Sequence, residues 1–412
     1  MSRGLQSLRF IPFRSIDIIE MCLLDSRLDS SEMDQFRIVC KQLKNLYHFQ
    51  YHEVLESLKN EYASENPDAD TIEVAVTPSH TNNKDVFSTQ LEFLLDKANY
   101  EKLSESDLDL ALHETSIFKI KLKVNFDDFQ QVLFYFRGES IQEEKVKKWF
   151  GLKVDTVKFI NYERVLVYVK FSQEFNSHKS ALREYRPGST MLKLFQSVPK
   201  ADLEMLFPNT KLQMRLIDKL MIGVPAAISG GVVLTTKVGA TLIIIGSLLG
   251  FWLGMHSEPV ELDKTALLTL MIGLGALVSY LWKQLNKYKN RKLRFMQTLT
   301  KNLYFKNLDN NAGVFHRLLD EAEEEEGKEA ILAYYFLLTD NDSITQQDLD
   351  KKIESWFEEK WSYRLNFDVD DAIKKLKKIG LVIEDHGFLR AVTLPQASEV
   401  ITSIWNNSAN KV

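Results

Sequence analysis

Two stretches near the middle of the chain change how the rest is read. Val238–Met255 and Thr265–Trp282 each run about 18 residues without Asp, Glu, Lys or Arg. That approaches the roughly 20 apolar residues that cross a bilayer core. The segment between them, HSEPVELDK, is short and acidic and holds Pro259, which predicts a turn between antiparallel helices. Just upstream, Leu220–Thr236 is also apolar, but Pro225 and the Gly230–Gly231 pair weaken a regular helix there. Residues 220–236 are therefore expected to be an interfacial, re-entrant or spanning segment.

The flanking regions read as water-facing folds. Ser15–Tyr62 has apolar residues at helical spacing (Ile18, Ile19, Cys22, Leu23; then Leu43, Leu46, Val54, Leu55, Leu58). Thr89–Ala98 predicts another helix, and Ser104–His113 a third that opens with a Ser104–Asp107 capping box. The period then becomes two. Phe118, Ile120, Leu122, Val124 and Phe126 alternate with polar residues, as do Val132, Phe134 and Phe136 after an Asp127–Asp128 turn. A helix is expected over Ser140–Phe150, then a hairpin pairing Val157–Ile160 with Val165–Phe171 around Asn161-Tyr162-Glu163. A last strand follows over Met191–Val198, and a short amphipathic helix over Pro199–Glu204. Beyond the spans a helix should run through Tyr288 to Leu303, followed by one carrying LDEAEEEEGKEAILAYYFLL. Thr345–Thr393 resembles a winged-helix module: helices at Gln346–Trp356 and Asp370–Lys378, then Leu381–Glu384 and Phe388–Val392 around Asp385-His386-Gly387.

The fold class expected is an α+β membrane protein. Residues 1–115 form an N-terminal helical region, 116–210 an antiparallel-sheet domain and 211–283 a membrane region containing a transmembrane helical hairpin. Residues 284–339 form juxtamembrane helices, and 340–412 a C-terminal winged-helix-like domain.

Charge sets the expected orientation. Lys283, Lys287, Lys289, Arg291, Lys292 and Arg294 follow the second span, Lys211, Arg215 and Lys219 precede the centre, and the linker has only Lys264. Cationic flanks stay on the cytoplasmic side, so both termini are expected there, or in the matrix if the protein is mitochondrial. The six cations after Trp282 are candidate contacts for anionic lipid headgroups. Small residues recur every fourth position at Gly223, Ala227, Gly231 and at Gly246, Gly250, Gly254, with Gly275 and Ser279 on the second span. Such strips let helices approach closely, within the hairpin or in a homo-oligomer.

The whole-chain charge is -5 and the mean hydropathy -0.20, which argues against nucleic acid as a partner. Lys374, Lys375, Lys377 and Lys378 are the basic residues a DNA-reading helix would need, but Asp340–Leu394 holds 12 acids against 9 basic residues. The two cysteines, Cys22 and Cys40, suggest neither a disulfide framework nor a zinc site. The acids Asp320, Glu321, Glu323–Glu326 and Glu329 lack the Glu-x-x-His pairs of di-iron bundles and are expected to form a solvated face. His48 and His52, with Glu56 a turn on, are expected to be packed or surface residues. No phosphate loop, nucleophile elbow or zinc-protease motif is present, so no catalytic, cofactor or metal site is expected.

Four segments carry a family resemblance: FIPFRSIDIIEMCL (Phe10–Leu23), YHFQYHEVLESLKNEYASENPDAD (Tyr47–Asp70), VPKADLEMLFP (Val198–Pro208) and LYFKNLDNNAGVFHRLLDEAEEEEGKEAILAYYFLL (Leu303–Leu338). The chain resembles transmembrane protein 143 and its bacterial relatives, which contain a domain of unknown function. One departure is Ser64-Glu65-Asn66-Pro67-Asp68, where a Phe-Asp-Pro-Asp type turn is expected. The resemblance implies a membrane protein, mitochondrial in animals and in the inner membrane of bacteria, and brings no reaction with it. The leading expectation is a membrane-anchored interaction or scaffold protein whose cytoplasmic domains bind a protein partner. The alternative is an oligomeric channel or lipid-handling protein assembled through the glycine strips.

Overall fold

In a computed structural model of the chain, the residues described are 8–69, 84–104, 106–108, 121–148, 153–175, 185–213, 239–255, 263–340 and 343–409. They belong to two units. One comprises Met1–Glu114, Asn125–Asn209 and Lys306–Val412; the other comprises Thr115–Val124 and Thr210–Phe305.

The first unit begins with α1 (Ser15–Leu24) and α2 (Ser30–Tyr62), which divide the expected helical stretch at Asp25–Asp29. Asp29 starts α2 because its carboxylate accepts from Ser31 N and Glu32 N, while Glu32 reaches back to Asp29 N. That reciprocal box satisfies donors the first helical turn leaves open. Helix α3 (Lys84–Lys97) follows. Of the next expected helix the described part is its first turn, where Ser104 Oγ accepts from Asp107 N at 3.1 Å.

Five antiparallel strands form the main sheet, in the order β1 (Glu101–Lys102), β3 (Phe129–Lys148), β4 (Lys153–Phe171), β5 (Thr190–Pro199) and β7 (Asn307–Asn310). Two expectations fail here. Ser140–Lys148 is strand rather than helix, and Asn161-Tyr162-Glu163 lies inside β4 rather than at a turn. The reason is cross-strand pairing. β3 and β4 stay in register from Arg137↔Arg164 out to Lys148↔Lys153, and Glu143 meets Lys158 at 2.9 Å. Helix-forming Glu and Lys are thus held extended by their opposite neighbours, which outweighs a propensity of tenths of a kcal/mol per residue. Tyr162 is buried with its ring 4.5 Å from Phe136, a position no exposed turn residue occupies. The expected strand at Met191–Val198 is present as β5, and Lys200–Leu206 forms a 3₁₀ helix.

One sheet face presents Tyr135, Leu166, Tyr168, Leu192 and Leu194 to the helical core. On the other, Phe207 packs against Phe134 and Phe129 at 5.3 and 6.0 Å. The centre of the unit is α6 (Ala312–Leu338), buried without interruption from Glu325 to Leu337. A helix apolar on all sides, as AILAYYFLL is, has to be enclosed. Helices α1, α2 and α3 enclose it together with α7 (Gln346–Trp361) and α8 (Val369–Ile379).

Asn311 joins β7 to α6 at φ +48. Its backbone N donates to Leu192 O at 2.8 Å, and its side-chain oxygen accepts from Leu192 N and from the Tyr62 hydroxyl, both at 3.1 Å. Asn311→Ala should cost about 2–4 kcal/mol, because it orphans a buried N–H and keeps a disfavoured φ. Asn311→Gly should recover only the backbone part; denaturant unfolding of the two variants separates the contributions.

Around α7 and α8, β8 (Ile344–Thr345), β10 (Phe388–Ala391) and β9 (Val382–Asp385) form a small sheet in that order. The hairpin turns at His386 and Gly387, both at positive φ. Helix α9 (Leu394–Ala409) packs on α2. The N-terminal strap is tied to this module: Leu8 N donates to Arg364 O, Asn366 N donates to Leu8 O, and Phe13 stacks on Phe357.

The second unit contains β2 (Lys121–Lys123) paired with β6 (Lys211–Gln213), and helices α4 (Gly239–Trp252) and α5 (Lys264–Lys306). Helix α5 is unbroken for 43 residues, about 65 Å at 1.5 Å per residue.

Candidate functional site

Two features of the chain stand out chemically, one in each unit. In the second unit it is an apolar surface. One helix among the described residues is long and apolar enough to cross a membrane: Lys264–Lys287, mean hydropathy 1.8, with 6% of its most apolar window buried. Leu267, Leu268, Met271, Ile272, Val278 and Trp282 all point outward, as do Ile243, Trp252 and Leu253 around α4. Water penalises such a surface at about 25 cal/mol per Å².

The hairpin's close approach is not where the glycine strips predict. A Cβ on Gly273 would fall 1.8 Å from Thr241 Oγ1, and that hydroxyl donates to Thr269 O at 3.1 Å. Gly246, Gly254 and Gly275 have nothing within 4 Å of a Cβ, and Ser279 is exposed. Gly250 is half-buried. Gly223, Ala227, Gly231 and the rest of 220–236 lie outside the described residues. Lys283, Lys287, Lys289 and Arg294 are exposed on α5; the side chains of Arg291 and Lys292 lie outside the description.

In the first unit the feature is ionic and internal. The acidic run on α6 is not a solvated face: Glu325, Glu326 and Glu329 are buried, as is Lys328. Their partners come from distant segments, which is why the run reads as surface in one dimension. Lys328 Nζ meets Glu325 at 2.6 Å and donates to Ile11 O at 2.7 Å, and Ile11 N donates to Glu325 Oε2 at 3.0 Å. On the next turn, Lys375 of α8 pairs with Glu326 and Asp371, and reaches Glu329 at 3.5 Å. Lys97 of α3 contacts Asp371 at 2.7 Å and Glu326 at 3.4 Å. Asn99 Nδ2 donates to Glu329 Oε1 at 3.3 Å. Nearer the start of α6, Glu321 accepts from the Tyr100 hydroxyl at 2.7 Å and pairs with Arg137 at 3.3 Å. The Arg137 guanidinium also lies over the rings of Phe10 and Tyr100.

Burial governs the protonation here. It pushes Glu329 up to about 8; Lys375 opposes that, and Glu325 and Glu326 add to it. Burial likewise raises Glu326, against the pull of Lys375 and Lys97. Asp371, penalised by burial but held between Lys375 and Lys97, stays below its ordinary value. Tyr47 of α2 is raised by burial and by the charges of Glu326, Glu329 and Asp371. Lys374 and Lys378 are exposed, whereas Lys375 is turned into the cluster and Lys377 pairs with Glu384. His48 is a surface residue 2.9 Å from Glu323, and His52 is exposed. Among the described residues no group of three or more His, Cys, Asp or Glu is arranged to hold a metal ion. Cys22 and Cys40 are buried and free.

A family model described as a protein of unknown function (DUF3754) matches residues 162–313. The match runs from the middle of β4 across β5, the apolar helices and β7 to the start of α6. It covers Asn311 and stops short of Glu325–Glu329. No solved structure matches the chain.

Proposed function

We propose that this chain is an integral membrane protein whose α4 and α5 cross the bilayer as a hairpin and anchor a folded unit that binds a protein partner. The observation that carries the reading is the exposure of Lys264–Lys287. A core helix of a water-soluble protein is enclosed by its neighbours, but this one is 6% buried over its apolar window. A secretory leader stands at an N-terminus, whereas at least 263 residues precede this helix.

Chain connectivity supports an even number of crossings. β5 pairs with β7, and α2 packs on α6, so segments before and after residues 214–305 share one core. Two segments of one hydrophobic core occupy one compartment. Two crossings satisfy that requirement, and a single extra span over 220–236 does not. The cations that follow Trp282 favour the cytoplasmic face for that core, or the matrix face in a mitochondrion. The resemblance to the transmembrane protein 143 family favours the same reading, with a bacterial inner membrane or a mitochondrial membrane as the proposed location.

The order of α6, β8, α7, α8 and the β9–β10 hairpin resembles that of a winged-helix module, and its basic helix is partly committed to internal pairing. Lys375 neutralises Glu326 and Asp371, and Lys377 neutralises Glu384. What remains outside suits a protein surface better than a phosphate backbone. Tags fused before Leu8 and after Ala409 should both be protected from protease in sealed inner-membrane vesicles of the cytoplasm-inside orientation. Digestion of one tag alone would overturn the reading.

A further inference from the structure

Glu326, Glu329 and Asp371 share two ammonium groups, Lys97 and Lys375, at the junction of α3, α6 and α8. The neighbouring Glu325 is already matched by Lys328. Three carboxylates against two cations leave one negative charge unmatched, with Glu326 and Glu329 buried and Asp371 and the two lysines only partly exposed. A second observation comes from α2. The Tyr47 side chain is 3% exposed, and its hydroxyl lies among these carboxylates without a hydrogen-bond partner. Tyr51, also from α2, faces Glu326. A neutral carboxyl group gives that arrangement both the missing positive charge and the mobility of a hydroxyl hydrogen.

We propose that this junction is a proton-operated clasp: α3 and α8 are held against α6 while the cluster carries one bound proton on Glu329, and loosen when it leaves. The groups facing Glu329 are Tyr47 from α2, Asn99 just beyond α3, Glu325 and Glu326 on α6 itself, and Lys375 from α8, while Tyr51, Lys97 and Asp371 face the neighbouring Glu326. Glu329 is the site of the proton because Asp371 is held by both lysines and Glu326 by both at shorter range, whereas Glu329 has one lysine at 3.5 Å and an amide.

The direction of the pH effect follows from linkage. The Glu329 carboxyl titrates near 8 when folded against an ordinary value of 4.5. The folded state therefore binds the proton more tightly than the unfolded one. The contribution is complete below about 4.5 and is lost as pH rises through about 8. A clasp with one linked proton should open about tenfold more often per pH unit between about 4.5 and 8 and level off above 8.

Two measurements on the full-length chain in lipid nanodiscs test this. Hydrogen–deuterium exchange of α3 and α8, corrected for the intrinsic pH dependence of amide exchange, should lose protection by about tenfold per unit as pH rises toward 8 and level off above it, while β4 and β5 hold theirs. Glu329→Gln keeps a neutral side chain at every pH and should flatten the profile. Difference infrared spectra of the unmodified chain should show a protonated carboxyl band at pH 7 that disappears by pH 9, a readout that needs no variant. Protection of α3 and α8 independent of pH, a Glu329→Gln profile that still breaks at pH 8, or no protonated carboxyl band at pH 7 would each overturn the clasp.

Discussion

Lys375→Met should destabilise the first unit by about 3–5 kcal/mol, making it one of the most damaging single substitutions of a charged residue in the chain. The lysine is largely enclosed and touches Glu326, Glu329 and Asp371. Attraction across such a pair is offset by the cost of taking both ions out of water, so the intact cluster adds little net stability. Removing one partner is different. The desolvation cost stays while the compensating charge goes, and the carboxylates left behind must bind protons or drag water inward. Lys97 remains, but its short contact is to Asp371, with Glu326 at 3.4 Å. Lys375→Met combined with Glu326→Gln should recover a large part of the loss, since it removes a stranded charge of opposite sign. Denaturant unfolding of the purified chain in detergent, followed by near-ultraviolet dichroism, measures both. A Lys375→Met variant within 1 kcal/mol of the parent would show that the junction is wet and its charges dispensable.

The second large effect is expected in the other unit. Leu274→Arg with Val278→Arg places two charges one turn apart near the middle of the apolar window Lys264–Lys287. On insertion scales each costs about 2.5–3.5 kcal/mol at the centre of a spanning helix. The double variant should move from the alkali-resistant membrane pellet to the soluble or aggregated fraction, whereas Leu274→Ile with Val278→Leu should not. If the unmodified protein already leaves the membrane in alkaline carbonate, α5 lies on a protein surface rather than in lipid. A side-chain change on the strongly exposed Lys283 or Lys287 should be far milder, shifting affinity for anionic vesicles by about 1 kcal/mol per charge near the surface.

The two misread strands and the misread acidic run share a physical origin. Ser140–Lys148 contains Glu-Glu-Lys-Val-Lys-Lys, residues that favour a helix when taken alone. Their fate is decided by β4, whose residues 153–161 lie opposite them. Glu325, Glu326 and Glu329 look like solvated acids because solvent is the default for carboxylates. The two lysines that let the latter pair stay inside come from residues 97 and 375, and the backbone that completes the Glu325–Lys328 pair comes from residue 11. Proximity of this kind leaves no periodicity to detect. The glycine strips illustrate the reverse case. Small residues at fourfold spacing are visible in one dimension, yet the tight crossing inside the hairpin uses Gly273 and Thr241.

Local composition alone determined the two uncharged segments, the helical character of Ser15–Tyr62, the strand at β5 and the helix–helix–hairpin order of the C-terminal module. Hydrophobic runs, capping chemistry and alternation act over a few residues, so one dimension carries them. Only the tertiary structure decided that the N-terminal strap, the sheet and the C-terminal module share a single core, and that an acidic stretch of α6 lies inside it. Those outcomes depend on which far-apart charges and strand edges meet, and a buried carboxylate is tolerable only where the whole chain has brought its counter-ions to it.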